Sequence, residues 1–196
     1  MKLQKIILTA LMTTFSLTGC TGTQSADVYT VSVDPYVPVG EEDVRFGECT
    51  ITLGDEVNVC GQGAWYKDNS ILISKGGIYK ISGSYTGDIN VCTSDPVKLM
   101  FVNADISNSD GYAVTSCADK LIIESDGTCS ITGSGGTYCN AVYSDGSVII
   151  NGIGDMDING GILSRGGIKF GKNVRTICEI LRTDEGDVIS GVLSLN

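Results

Sequence analysis

The sequence is expected to fold as an all-β chain, a short right-handed parallel β-helix of stacked coils of about 20–28 residues. Three observations predict this. Glycine supplies 26 of 196 residues and proline only 3, while Asp outnumbers Glu by 16 to 7. With a hydrophobic fraction of 42%, that composition describes strands and tight turns, and it argues against a helical bundle and against disorder. Second, three segments repeat in phase: Ala113-Val114-Thr115-Ser116 leading to Leu121-Ile122-Ile123, Ala141-Val142-Tyr143-Ser144 leading to Val148-Ile149-Ile150, and Gly161-Ile162-Leu163-Ser164 leading to Ile168-Lys169-Phe170. A looser copy runs from Ile89 through Val97-Lys98-Leu99-Met100-Phe101. Third, the spacings are unequal, at 24, 28 and 20 residues, as expected when turns vary in length and strands keep register.

No single unit can bury both ends of its own apolar row. Stacking the units places Val114, Val142 and Ile162 in one interior column and Leu121, Val148 and Ile168 in a second. The backbone ladders then close between coils at about 4.8 Å. A β-sandwich with strands every 8–12 residues is the competing architecture. The order small residue, apolar residue, any residue, Ser is kept three times, and that favours stacked coils.

The N-terminus is read separately. Lys2 and Lys5 precede a mostly apolar run, Ile6 to Leu17, that is too short to span a bilayer as a helix. It closes on Leu17-Thr18-Gly19-Cys20, so residues 1–19 are expected to be a signal peptide. The tetrapeptide resembles the bacterial lipobox, in which the cysteine is acylated and becomes the first residue; the bland alternative is an ordinary secretory signal. Acyl chains contribute about 0.8 kcal/mol per buried CH₂, so an acylated Cys20 would hold the protein on a lipid bilayer, as an extracytoplasmic lipoprotein on the cell surface or the periplasmic face. Residues 20–44, with Thr, Ser, Pro35, Pro38 and the acidic run Glu41-Glu42-Asp43, read as the lipidated Cys and its tether. Residues 45–70 read as an N-terminal hairpin or cap, and 71–196 as the β-helix.

Charge and composition exclude several functions. There is no histidine, so no Ser-His-Asp triad, Cys-His dyad or His-ligated zinc is available. A formal net charge of −10 disfavours nucleic acid and anionic membranes as partners and leaves cations and neutral polymers.

Eight cysteines less a lipidated Cys20 leave an odd number. Structural disulfides are expected, with Cys49 and Cys60 opposite one another in a hairpin turning at Gly54-Asp55. Cys129 and Cys139 flank a glycine-rich excursion, and Cys92 and Cys117 occupy neighbouring repeat positions. Cys178 has no evident mate. There is no Cys-x-x-Cys, which argues against a metal site.

Several blocks resemble a known family. They begin at Ile71-Leu72-Ile73 and Gly76-Gly77-Ile78-Tyr79-Lys80-Ile81-Ser82-Gly83. They continue through Val97 to Val102, Asn103-Ala104-Asp105-Ile106, Ser109-Asp110-Gly111 and Ala118-Asp119-Lys120-Leu121-Ile122-Ile123. The last are Asn140-Ala141-Val142-Tyr143-Ser144 and Val148-Ile149-Ile150-Asn151-Gly152-Ile153-Gly154 to Ile158-Asn159-Gly160. In this order they resemble the carbohydrate-binding domain family of bacterial surface lipoproteins, with a small pectate-lyase-like right-handed β-helix. The resemblance covers about residues 70–170. It implies plant-wall polysaccharide as partner, cellulose or pectin-like, bound calcium, and a lyase-like fold without established lyase activity. The chain is shorter after residue 170 and richer in cysteine than that family.

Two residue sets are candidates for the chemistry. Asp95 and Asp119 each lie two residues before a strand start, and Asp145 three before, so stacking would crowd the three carboxylates on one edge. Crowded like charges call for a cation, and calcium with its oxygen ligands is the expected one. A further polar set, Asn103, Asp105, Asp126, Asp155 and Asp157, surrounds the next turn. Solvated turn-forming Asp is the bland alternative for each residue. Among aromatics, Trp65, Tyr112, Tyr138 and Tyr143 fall in turns or at strand starts, where a ring can face a sugar; Tyr66 and Tyr85 share this placement, and Tyr packed over a coil edge is the alternative. Lys98, Lys120, Arg165 and Lys169 are the few candidates for a lyase base, and no pair of carboxylates is marked for hydrolysis. Non-catalytic polysaccharide binding is therefore the leading expectation. The alternatives are a surface adhesin or structural β-helix recognising a protein or host glycan, and a calcium-dependent polysaccharide lyase.

Overall fold

The computed structural model describes residues 48–136 and 140–171, together with the backbone of two further strands, Arg175–Thr183 and Val188–Ser190. The expected signal peptide, Cys20 and the tether lie outside the described residues, as do Tyr138 and Cys139 and the side chain of Cys178.

The described chain is all-β, with no helix among its residues. In chain order its strands are β1 (Glu48–Thr52), β2 (Asn58–Cys60), β3 (Ala64–Lys67), β4 (Ser70–Ile73), β5 (Gly77–Thr86), β6 (Asp88–Val91), β7 (Val97–Asn108) and β8 (Val114–Ser116). They continue as β9 (Lys120–Asp126), β10 (Thr128–Gly133), β11 (Val142–Ser144), β12 (Ser147–Gly152), β13 (Asp155–Ser164), β14 (Ile168–Phe170), β15 (Arg175–Thr183) and β16 (Val188–Ser190).

Pairing is parallel along three ladders. The first runs β4, β6, β8, β11 and the second halves of β13 and β15. The second runs β1, the first halves of β5 and β7, then β9, β12 and β14. The third joins the second halves of β5 and β7 to β10, the first half of β13 and the start of β15. Antiparallel partners close the ends: β2 on β1 and β3 on β4 at one, β16 on β15 at the other.

The register expected from the repeat is present. Val114 pairs with Val142 and Val142 with Ile162, and the column extends through Ile89 to Ile71, all five wholly buried. Leu121, Val148 and Ile168 align likewise in the second ladder. Each fully buried aliphatic side chain contributes about 1.5–3 kcal/mol, and one turn of chain cannot shield such a row from water alone. A third column, Tyr85, Ile106, Ile131 and Ile158, completes the interior. The repeated serine has a local reason. Ser116, Ser144 and Ser164 stack, buried, where the chain leaves the first ladder; the single Ser164 hydroxyl hydrogen is shared between Gly146 O and Gly167 O, 2.8 and 2.9 Å away, and the Ser116 Oγ accepts from Ala118 N at 3.1 Å. At Ser116 and Ser164 the small hydroxyl holds the turn, whereas the Ser144 hydroxyl has no partner among the described residues.

The corner between the second and third ladders is made by a bulge. Ser82 pairs with Val102 but Gly83 with Ala104, leaving Asn103 as the extra residue at φ 47°. Asn tolerates this left-handed conformation better than most residues. Gly83 lies against Leu53, where an added Cβ would come within 2.3 Å of the carbonyl oxygen.

Of the expected disulfides, the register corrects one, Cys49 with Cys60. Cys49, Cys60, Cys92, Cys117 and Cys129 are all free thiols. Cys60 pairs with Thr50 rather than Cys49, so the pleat turns Cys49 into the core and Cys60 to solvent. Burial first, and the neighbouring Cys60 second, push the Cys49 thiol pKa up. Cys92 and Cys117 follow β6 and β8 side by side, but the Cys92 sulfur turns to the Asn90 carbonyl at 3.8 Å. The buried Cys129 thiol donates to Phe101 O at 3.4 Å, and its expected mate Cys139 lies outside the described residues.

Candidate functional site

The two N-terminal hairpins frame a groove of about 820 Å³ at the start of the third ladder. One wall is the turn after β1, with Asp55 and Glu56; the other is Tyr66 and Asn69. The second wall is fixed locally. Asp68 and Asn69, at φ 50° and 59°, form the two-residue loop between β3 and β4, where both central residues of the favoured turn need positive φ. The Asn69 side chain then donates to Thr86 O at 3.1 Å, tying the hairpin to β5.

Tyr85 lines this groove and Tyr66 stands edge-on above it, with ring centroids 6.2 Å apart at 79°. Tyr85 is only 8% exposed, yet its hydroxyl has no hydrogen-bond partner. Tyr66 is close enough to add to the upward shift of the Tyr85 pKa, of which burial is the largest cause, but the pair falls short of hydrogen-bond geometry. Across the groove, Asp105 accepts from Ser130 Oγ at 2.8 Å and more weakly from Ser84 Oγ at 3.5 Å. Three carboxylates, Asp55, Glu56 and Asp105, line the groove, and no Lys or Arg does.

A second aromatic cluster sits on the first ladder and includes two of the sugar-facing candidates. The Tyr112 and Tyr143 rings lie 5.5 Å apart at 42°. Tyr112 packs over Gly135, where an added Cβ would lie 2.5 Å from the ring. The Tyr143 hydroxyl donates to Asp145 Oδ1 at 2.7 Å, and Arg165 reaches the same oxygen at 3.0 Å with its guanidinium 5.9 Å from the Tyr143 ring centre. The Asp145 hydrogen bond is the first cause that raises the Tyr143 pKa, followed by burial. Of the other aromatic candidates, Trp65 stands apart on β3, 44% exposed, and Tyr138 lies outside the described residues.

Two of the three aspartates considered for calcium are neighbours in register, and the third, Asp145, is not with them. Asp119 N donates to Ser94 O, which sets Asp119 beside Asp95 as expected, and Asp119 O accepts from Ser147 N. Asp145 instead follows β11 as Cys117 follows β8, and it is the second cause, after burial, of the raised Cys117 pKa. The Asp145 carboxylate is already engaged by Tyr143 and Arg165, while Asp95 makes a local turn with Thr93. Among the described residues no three acidic or thiol groups converge as metal ligands, so this set does not fit a calcium ion.

Of the lyase-base candidates, Lys98 pairs with Glu124 at 2.7 Å and Arg165 with Asp145. The sequence reading noted Tyr66 and Tyr85 but missed Ser84, Thr86 and Ser107 as groove residues. Its columns covered only the first two ladders. Tracing Tyr85, Ile106, Ile131 and Ile158 as a third column would have marked their neighbours as outward.

Residues 67–178 match the model of the family described as carbohydrate-binding domain-containing protein, and the chain belongs to that family. No curated protein and no solved structure matches the chain.

Proposed function

We infer that the protein binds extracellular polysaccharide without transforming it, and that the groove over Tyr85 is the binding site. The groove carries this reading: Tyr66 is 43% exposed, set among Asn69, hydroxyl and carboxylate groups suited to sugar hydroxyls. Membership of a carbohydrate-binding family supports the ligand class. The engagement of Lys98 and Arg165 in ion pairs supports a binding role over lyase chemistry. Of the plant-wall polymers, a neutral cellulose-type chain suits the groove better than a pectin-like one, whose uronates would meet Asp55, Glu56 and Asp105. The three parallel ladders support a right-handed parallel β-helix as the scaffold. Acylation at Cys20 would then hold it as an extracytoplasmic lipoprotein, and Cys20→Ser is expected to release it into the soluble fraction; a variant that stays in the membrane after signal cleavage would overturn the anchor.

Native affinity gels containing cellulose-derived, xylan or pectin polymers test the function. Retarded migration in the neutral gels, with no unsaturated product released from pectin, is expected. Unretarded migration in every gel would remove the reading.

A further inference from the structure

We propose that the groove is only the head of a longer site, and that one neutral, linear polysaccharide chain lies along the third ladder, across its strands. This rests on the reading of the groove as the polysaccharide site. The register carries it. Ser84, Asp105, Ser130 and Asp157 form one outward column across β5, β7, β10 and β13. Thr86, Ser107, Thr132 and Asn159 form the next, two residues along each strand. Both columns begin in the groove, which Ser84, Thr86, Asp105 and Ser107 line. Every one of these eight side chains is a hydroxyl, amide or carboxylate, and none is buried.

The spacing suits a polymer. Neighbouring strands lie about 4.8 Å apart, so each column offers a polar group at an interval close to one sugar ring of an extended chain. The groups are held by one another: Ser130 donates to Asp105 at 2.8 Å, Asn159 donates to Thr132 at 3.3 Å, and the Thr86 and Ser107 hydroxyls meet at 3.4 Å. Such cross-strand bonds fix the rotamers while leaving each hydroxyl or carboxylate further hydrogen-bonding capacity. Two atoms lack a partner altogether, the Tyr85 hydroxyl at the head and Asp157 Oδ1 further along. Tyr85 is more than nine-tenths buried, and an unpartnered hydroxyl so placed is costly until a ligand satisfies it.

Charge selects among polymers. Asp55, Glu56, Asp105 and Asp157 repel a polyuronate, and among the described residues none of these carboxylates has a cation beside it. They do not converge on a point as metal ligands would, so they suit hydroxyl groups distributed along a chain.

A length series tests this by calorimetry on the mature chain in detergent, with cello-oligosaccharides and oligogalacturonates as probes. Affinity for the neutral series is expected to rise from the disaccharide to about the tetrasaccharide, since four strands at about 4.8 Å offer one position per sugar ring, and then to level off. Oligogalacturonates are expected not to bind. Thr132→Ala and Asn159→Ala, both remote from the groove, are expected to weaken the tetrasaccharide about three- to tenfold each and leave the disaccharide unchanged. Affinity that is flat beyond the disaccharide, or a tetrasaccharide indifferent to both variants, would overturn the extended site while leaving the groove reading intact. If no length binds, both fall.

Discussion

Two aromatic regions of this molecule resemble one another in composition and differ in how their polar groups are satisfied. In the Tyr112 and Tyr143 cluster, the Tyr143 phenol and the Arg165 guanidinium both donate to Asp145 Oδ1, at 2.7 and 3.0 Å. In the groove, the Tyr66 and Tyr85 rings meet edge to face, and the Tyr85 hydroxyl has no partner within hydrogen-bond geometry among the described residues. A closed network stabilises the fold and has little left to offer a ligand. An open set gives up stability and presents groups that a ligand can complete. Tyrosine content alone therefore does not locate a sugar site; the state of the neighbouring polar groups does.

The comparison can be broken most severely through the scaffold that both regions share. Val142→Asp buries a carboxylate between Val114 and Ile162 with nothing to pair it. A loss of about 3–5 kcal/mol is expected, read as a collapse of the urea midpoint, with both aromatic regions lost together. A variant of near-normal stability would refute the interior column.

Smaller changes separate the regions. Tyr143→Phe removes the donor to Asp145, so a loss of about 0.5–1.5 kcal/mol in urea unfolding is expected, with glycan affinity unchanged. Tyr85→Phe removes a buried hydroxyl that bonds to nothing. It is expected to alter stability by less than about 1 kcal/mol, in the stabilising direction, while weakening glycan binding. If Tyr85→Phe destabilises the fold as much as Tyr143→Phe does, the two regions do not differ as described.

Alkaline unfolding sharpens the contrast with the core. Tyr79 is pushed up to about 12, first by burial and then by Cys49, and its hydroxyl donates to Lys75 O at 2.7 Å. Its pKa is raised, so the unfolded chain loses this proton first, from about pH 10. The stability it contributes is whole below pH 10 and is lost as pH rises toward 12. Urea midpoints measured from pH 9 to 12 are expected to fall, and to fall less steeply in Tyr79→Phe; equal slopes would rule out this source. The smallest effect is expected at Asp119, where Asp119→Asn should leave any difference in melting temperature between calcium and chelator unaltered. A shrunken difference would restore the aspartate to a metal site.

Much of this fold was legible in the sequence for a simple reason. Val114, Val142 and Ile162 pair as the repeat implied because an interior row tolerates only apolar residues, and a one-residue slip would expose them all. The turns were less legible. Asp145 was aligned with Asp119 by counting back from strand starts, but loops of different length place it beside Cys117 instead. Cys49 and Cys60 looked opposed because a hairpin joins them, and the pleat separated them by one residue. The groove was hidden because it depends on how two hairpins meet the third ladder, a long-range arrangement that local pattern does not encode. Tyr112 and Tyr143 are brought together as the repeat allows, but their polar partners could not be read from spacing.

The most direct test compares Tyr66→Ala with Tyr143→Ala for binding of one neutral oligosaccharide, both variants first confirmed as folded. Tyr66→Ala is expected to weaken binding by at least about tenfold and Tyr143→Ala by less than about twofold. The reverse order, with Tyr143→Ala losing the ligand and Tyr66→Ala retaining it, would contradict the assignment of the groove and place the site on the Tyr112 and Tyr143 cluster.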